Sequence, residues 1–260
     1  MCYPPNPHTN PTQHRSRYIP LVSMVCFFTL WESVCLAIQL PRFLLPAPHD
    51  ILIRLFYELH TVIFWKHIWA TVSVATLGLA LAVGIGILVG WQSFHSPLFR
   101  AATTWMITST QAVPVIAIAP LLFLWVNDEY WSRVFVTVVI TFFPLYSTTY
   151  TALQRIPREL REVASLEGYA QYRAWVTYEA PLAAPVICAG IRTSMVLATT
   201  GAVVGEYLGG RYGLGALINV ARGMFDTTLV FVAVVMLILL TLGFSALFHR
   251  LEQVVLAYVE

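Results

Sequence analysis

Few residues in this chain have the means to make or break bonds, and their spacing fits no catalytic constellation. No G-x-S-x-G, H-E-x-x-H or G-x4-GK-[ST] stretch occurs, and Lys66 is the only lysine. A nucleophile elbow, a zinc-hydrolase helix and a phosphate-binding loop are therefore all missing from the sequence. The four cysteines, Cys2, Cys26, Cys35 and Cys188, lack C-x-x-C spacing. Neither a disulfide framework nor a zinc site follows from them, so no metal and no cofactor is expected. What the chain concentrates is charge. The stretch Arg155–Arg173, RIPRELREVASLEGYAQYR, holds seven of its 28 charged residues between long apolar runs. Unpaired charge is costly in hydrocarbon, so this stretch belongs outside a membrane.

The elements around that stretch read as membrane helices. The chain is 58% hydrophobic and 11% charged, with a mean hydropathy of +0.72, where a soluble domain carries about 25% charged residues. Several apolar runs approach the roughly 20 residues that cross a bilayer. The expected fold is all-α, a polytopic membrane protein of six transmembrane helices. A net charge of +2 without a polybasic tract gives no sign of nucleic-acid binding. Residues 1–18, rich in Pro, Asn and Thr, are expected as a disordered tail. Residues 19–258 form the membrane domain, with a core over about 66–250.

The spans are placed as follows. Span 1 covers about Ile19–Leu40, with Glu32 its one charge, either functional or facing a polar neighbour. Ile51–Trp65 keeps helical apolar spacing, interrupted by Arg54, Glu58 and His60, and is expected as a short amphipathic surface helix. Span 2, about Ile68–Trp91, carries the Gly86/Gly90 pair, a spacing that lets another helix approach closely. Span 3, about Thr103–Val126, is split by Pro114 and Pro120; span 4, about Trp131–Tyr150, contains Pro144. Kinked, hydroxyl-bearing helices are tolerated where neighbours or a watery cavity satisfy the freed backbone groups. Span 5 covers about Pro181–Leu208, a Gly-rich loop GGRYGLGAL follows, and span 6 covers about Leu229–Ala257. Six spans put both termini and the 155–180 loop on one side. That side holds eight basic residues against six opposite, which leans towards the cytoplasm. Trp65, Trp69, Trp91, Trp105, Trp125, Trp131 and Trp175 lie near span ends, as an interfacial aromatic belt requires.

Within the charged stretch, Ile156, Leu160, Val163 and Ala164 fall on one helical face. Arg155–Glu159 and Arg158–Glu162 are i,i+4 pairs, Pro157 sits at the start, and Gly168 can end the helix in a left-handed cap. The result is a short amphipathic helix suited to a lipid surface or to the groove of a soluble partner.

Glu162-Val163-Ala164, Gly168 and Pro181 resemble the EAA loop of ABC-importer permeases, with Tyr178 and Ala180 departing from the family's I-x-L-P. The resemblance extends over about residues 45–258. LPAP (Leu45–Pro48), QAVPVIAIAPLLFLW (Gln111–Trp125), FFP (Phe142–Pro144), Pro181, Pro185, Gly190, Arg192 and GLGALI (Gly213–Ile218) are similar to the nitrate, sulfonate and taurine branch. GAVVGEYLGG (Gly201–Gly210) with MFDT (Met224–Thr227) resembles members handling riboflavin or pyrimidine vitamin precursors. The resemblance implies a cytoplasmic coupling helix seated in a separate ABC ATPase dimer. It also implies an extracytoplasmic solute-binding protein and a second permease subunit, as a homodimer. ATPase coupling would then fall to Glu162, Val163, Ala164, Gly168 and Pro181.

Several site roles stay open at this level. Glu162 either contacts the ATPase or is a solvated charge paired with Arg158. Glu206 reads as a helix-packing or gating salt bridge ahead of substrate contact. Arg192 either pairs with a substrate anion or is held by carbonyls or a carboxylate. Thr108, Gln111, Ser194 and Thr199 are candidate pathway groups on kinked spans. The competing classes are a secondary transporter, which usually shows repeated halves and more intramembrane charge, and a channel, which needs no coupling helix. The solute is expected to be riboflavin or a pyrimidine vitamin precursor, with a sulfonate, taurine or nitrate as the alternative.

Overall fold

A computed structural model describes residues 19–39, 41–157, 159–160, 162 and 171–257. The expected tail, residues 1–18, and the expected coupling residues Val163, Ala164 and Gly168 lie outside the described residues. The described chain is helical throughout: α1 Ile19–Ile38, α2 Pro48–Leu59, α3 Val62–His95, α4 Pro97–Ala112, α5 Val115–Val126 and α6 Glu129–Gln154. There follow α7 Gln171–Ala174, a π-helical turn Trp175–Glu179, α8 Ala180–Gly209, α9 Leu214–Gly223 and α10 Thr227–Ala257.

The ends of these helices are set by local chemistry. Thr61 caps α3, its Oγ1 accepting from the Phe64 amide at 3.4 Å. Asp128 caps α6, its carboxylate accepting from the Trp131 amide at 2.8 Å. Both satisfy backbone donors that have no partner within the first turn. Pro48 opens α2, where its missing N–H costs nothing. Asn127, in the left-handed conformation, closes α5.

Three expectations change. The surface helix ends at Leu59, and Trp65 belongs to α3, because the Thr61 cap starts the long helix earlier than the apolar run suggests. Span 3 is two helices, α4 and α5, broken at Val113 and Pro114, since proline disfavours helical backbone in the residue before it. The Gly-rich loop is shorter than expected, because Leu214–Gly223 is already helix α9. Four helical stretches are long and apolar enough to cross a bilayer: Val62–His95, Glu129–Gln154, Trp175–Gly209 and Thr227–Arg250. Val22–Ile38 and α5 are shorter apolar stretches. At about 1.5 Å per residue the 34-residue α3 is about 51 Å long, well beyond the roughly 30 Å hydrocarbon core.

α6 packs along both α3 and α8, which also touch one another. The contacts are close because glycines face it. A Cβ at Gly86 would run into Leu145, one at Gly90 into Thr149, and one at Gly201 into the backbone of Thr137. The expected Gly86/Gly90 approach site is therefore real, and α6 supplies its partner surface. Glu32 faces a polar neighbour: His49 Nδ1 lies 2.6 Å from its Oε1, joining α1 to α2.

We call the end of the bundle that holds His95, Gln154 and Ala180 the lower end. The end that holds Val62, Glu129 and Gly209 is the upper end.

Candidate functional site

At the lower end, α3, α6 and α8 share one apolar cluster. Ala152, Leu153, Ile156, Ala183 and Ile187 are its buried members, packed with Trp91, Phe94 and Trp175 among others. Ile156 is buried at the start of the charged stretch and Trp175 lies just after its end, so both roots of that stretch sit in the same cluster. Glu162 is exposed. Pro181 is half-buried at the start of α8, directly after the π-turn. A proline ring collides with the carbonyl four residues back, here that of Thr177. Widening the turn relieves that collision, and the Ala180 amide donates instead to the Trp175 carbonyl.

The π-turn also turns Glu179 inward. Its residue is 5% exposed, and its Oε2 accepts from the Trp91 indole at 3.3 Å and lies 3.0 Å from His95 Nε2. Trp91 meets His95 and Trp175 edge-on, with ring centroids 5.2 and 6.0 Å apart.

At the upper end a second buried carboxylate organises the loop between α8 and α9. Glu206, 1% exposed, accepts at Oε2 from the Thr71 hydroxyl and the Gly215 amide, each at 2.9 Å. Thr71 in turn accepts from the Leu214 amide at 2.8 Å. The Gly213 amide donates to His67 Nδ1 at 3.1 Å. Arg133 donates to the Tyr212 carbonyl at 2.6 Å, and Glu129 accepts from the Arg211 amide. Gly213 has φ +133°, ψ 158°, a region that is almost glycine-only. A side chain there would also land on the Glu206 carboxylate.

Between the two ends, where α4 breaks from α5, lies a cleft of about 630 Å³. Its described lining is apolar throughout and includes Ile85, Ile107, Val115, Val139, Phe142 and Phe143.

Residues 82–256 match the profile of the binding-protein-dependent transport system inner membrane component, about two thirds of the chain. The chain belongs to this family. It is therefore a permease subunit of an ABC importer, and a multi-pass membrane protein. The permease is 40% identical over 237 residues to the riboflavin transport system permease protein RibX of Chloroflexus aurantiacus, covering 91% of this chain and 88% of the relative. It is 33% identical to the formylaminopyrimidine transport permease protein ThiX of Halalkalibacterium halodurans, with 92% and 95% coverage. Its fold is that of a chain from the inward-facing MetNI methionine ABC transporter, with a TM-score of 0.65 at 16% identity, covering 74% of this permease and 96% of that chain.

Four of the residues singled out in the sequence as pathway groups, Arg192, Ser194, Thr199 and Glu206, lie along α8. Ser194 is fully buried, and its Oγ has no hydrogen-bond partner among the described residues. Thr199 is buried too, its hydroxyl donating to the Met195 carbonyl of its own helix at 3.4 Å. Arg192 pairs with Glu252 and meets His249 at 2.9 Å, tying α8 to α10. This contact accords with the carboxylate-held alternative for Arg192. Glu206 binds a hydroxyl and an amide in place of the expected salt bridge. Only Oε2 is held in this way; the buried Oε1 has no hydrogen-bond partner among the described residues. The side chains of Thr108 and Gln111 lie outside the described residues, though α4 carries both positions. None of Arg192, Ser194, Thr199 and Glu206 lines the apolar cleft.

Sequence reasoning missed Glu179 and the pairing of His95 with it. The signal for Glu179 was present: a lone acidic residue two before a proline at the start of a long apolar helix needs a polar partner there.

Proposed function

We propose that this permease forms the transmembrane pathway for riboflavin or a pyrimidine vitamin precursor delivered by an extracytoplasmic solute-binding protein. Two copies assemble around the pathway, and a cytoplasmic ABC ATPase dimer drives them. The observation that carries the solute is the 40% identity to a riboflavin transport permease along nearly the whole chain. The second relative, named for formylaminopyrimidine, points to the same chemistry of small nitrogen heterocycles. The apolar, phenylalanine-bearing cleft at the break of span 3 supports it, because such walls suit a flat ring better than a hydrated anion. The aliphatic-sulfonate relatives of Bacillus subtilis and Escherichia coli are 27% and 25% identical, and a sulfonate is the second reading on that ground.

The lower end is the cytoplasmic one in this reading, with both termini on that side. Glu162, Val163, Ala164 and Gly168 make the contact with the ATPase, and Pro181 sets the helix that receives its push. An ATPase can drive a permease only by binding its two states differently. Gly168→Pro or a charge reversal at Glu162 should abolish transport with membrane insertion intact. Solute-stimulated ATP hydrolysis that survives both changes in the assembled complex overturns the coupling assignment.

The direct test of the solute is ATP-dependent uptake in proteoliposomes carrying the permease, its ATPase and its binding protein. Riboflavin should accumulate only with ATP, and excess taurine should not compete. Accumulation of a sulfonate in place of riboflavin overturns the vitamin reading.

A further inference from the structure

The lower-end cluster contains a connection that the coupling segment by itself does not explain. Glu179 is the last residue of the π-turn, eleven residues beyond Gly168, and it is gripped by α3, a helix more than eighty residues earlier in the chain. Trp91 and His95 are one helical turn apart on α3, so both reach Oε2 of Glu179 from the same face. Ile156 and Trp175, the two roots of the coupling segment, pack into the same apolar cluster as Trp91 and Phe94. Any displacement of that segment therefore arrives where α3 ends.

We propose that Glu179 is a positioning residue of the transport cycle, tying the π-turn to Trp91 and His95 so that motion of the coupling segment carries α3 with it. Three features fit that task. First, a π-turn is a local widening of the helical ladder, a place where a helix can change register without unwinding. Second, the Glu179 side chain is 7% exposed and that of His95 20%, so the contact is shielded from competing water. Third, α3 is a continuous helix from His95 to Val62. It meets the upper loop through Thr71 and His67, so a push at its lower end reaches the Glu206 network. Pro181 supplies the reason for the widened turn, and Glu179 supplies what the turn holds on to. The proposal rests on the importer reading, because it needs an ATPase to move the segment.

Hydrogen–deuterium exchange of the full complex in lipid nanodiscs, with and without ATP and vanadate, tests it without any knowledge of the solute. In the wild type, ATP–vanadate trapping should change exchange both in residues 171–180 and in residues 86–95. In Glu179→Ala the response of residues 86–95 should be lost while that of 171–180 persists. Glu179→Gln, which keeps an acceptor for both donors, should restore it. A merely structural role would raise exchange in both segments with or without ATP. Should Glu179→Ala fail to assemble, the double variant Trp91→Phe/His95→Phe decides, since it removes both donors to Glu179 and keeps an aromatic ring at each position. An α3 response equal to wild type in the decisive variant overturns the proposal, as does a wild type in which 171–180 responds and 86–95 does not. A wild type in which neither segment responds overturns the importer coupling itself.

Discussion

The two buried carboxylates of α8 and its lead-in sit at opposite ends of the same bundle, and they are held in different ways. Glu206 is surrounded by short donors, the Thr71 hydroxyl and the Gly215 amide, within a loop whose backbone is pinned to α3, α6 and α8 at once. Glu179 is held by two long aromatic side chains of a single helix, and it stands on a widened turn. Backbone amides leave a loop one place to be. Side-chain donors on a neighbouring helix let two elements move as a pair. The upper end is built to stay and the lower end to transmit.

The strongest way to break that contrast is at the upper end. Glu206→Ala leaves the Gly215 amide without its acceptor, and a buried orphan costs about 1–3 kcal/mol, while the Thr71 hydroxyl can still donate to the His67 carbonyl at 3.2 Å. Gly213→Ala adds about 1–3 kcal/mol of backbone strain, with an overlap against the carboxylate on top. Both should lower the thermal unfolding temperature of the detergent-solubilised permease by several degrees and reduce transport in proportion to folded protein. Transport lost with stability intact would mean that Glu206 acts in the cycle and not in the scaffold. At the lower end the expectation reverses: Glu179→Gln should leave the unfolding temperature near wild type, because an acceptor remains for both donors. A drop as large as that of Glu206→Ala would erase the difference between the two ends.

Between the ends, the seam on α6 is indifferent to the contrast and should respond to volume alone. Gly86→Leu forces a branched side chain into Leu145. Overpacking of a close helix contact costs about 1–3 kcal/mol. The same change at Gly84, where an added Cβ meets nothing within 4 Å, should cost far less. Equal losses at the two positions would show that α3 and α6 do not meet along this face.

Much of this architecture was legible in the sequence, and for identifiable reasons. Apolar run length located the membrane helices, and the Gly86/Gly90 spacing identified the face of α3 that meets a neighbour. The split at Pro114 was visible but not its outcome as two separate helices, since a proline can also sit within a continuous helix, as Pro144 does in the unbroken α6. The upper network was hidden because most of its donors are backbone amides, which carry no residue signature. Glu179 was hidden because its partners, Trp91 and His95, lie more than eighty residues away. Interfacial tryptophan and histidine are so ordinary in membrane proteins that neither stood out.

Arg192 gives the smallest and most discriminating prediction. Its partner Glu252 lies on α10, and the arginine side chain is 44% exposed, so solvent weakens the pair and its net worth is about 0–1 kcal/mol. Arg192→Ala should barely move the unfolding temperature. If Arg192 serves only to join α8 to α10, the solute concentration for half-maximal uptake stays unchanged in that variant, and Glu252→Ala behaves the same way. If the arginine instead meets an anionic solute, the two variants diverge: Arg192→Ala weakens uptake, and Glu252→Ala, which frees the guanidinium, does not. The pair thus distinguishes a helix tie from an anion site, and with it the vitamin reading from the sulfonate one, by a measurement that needs no structure of the loaded pathway.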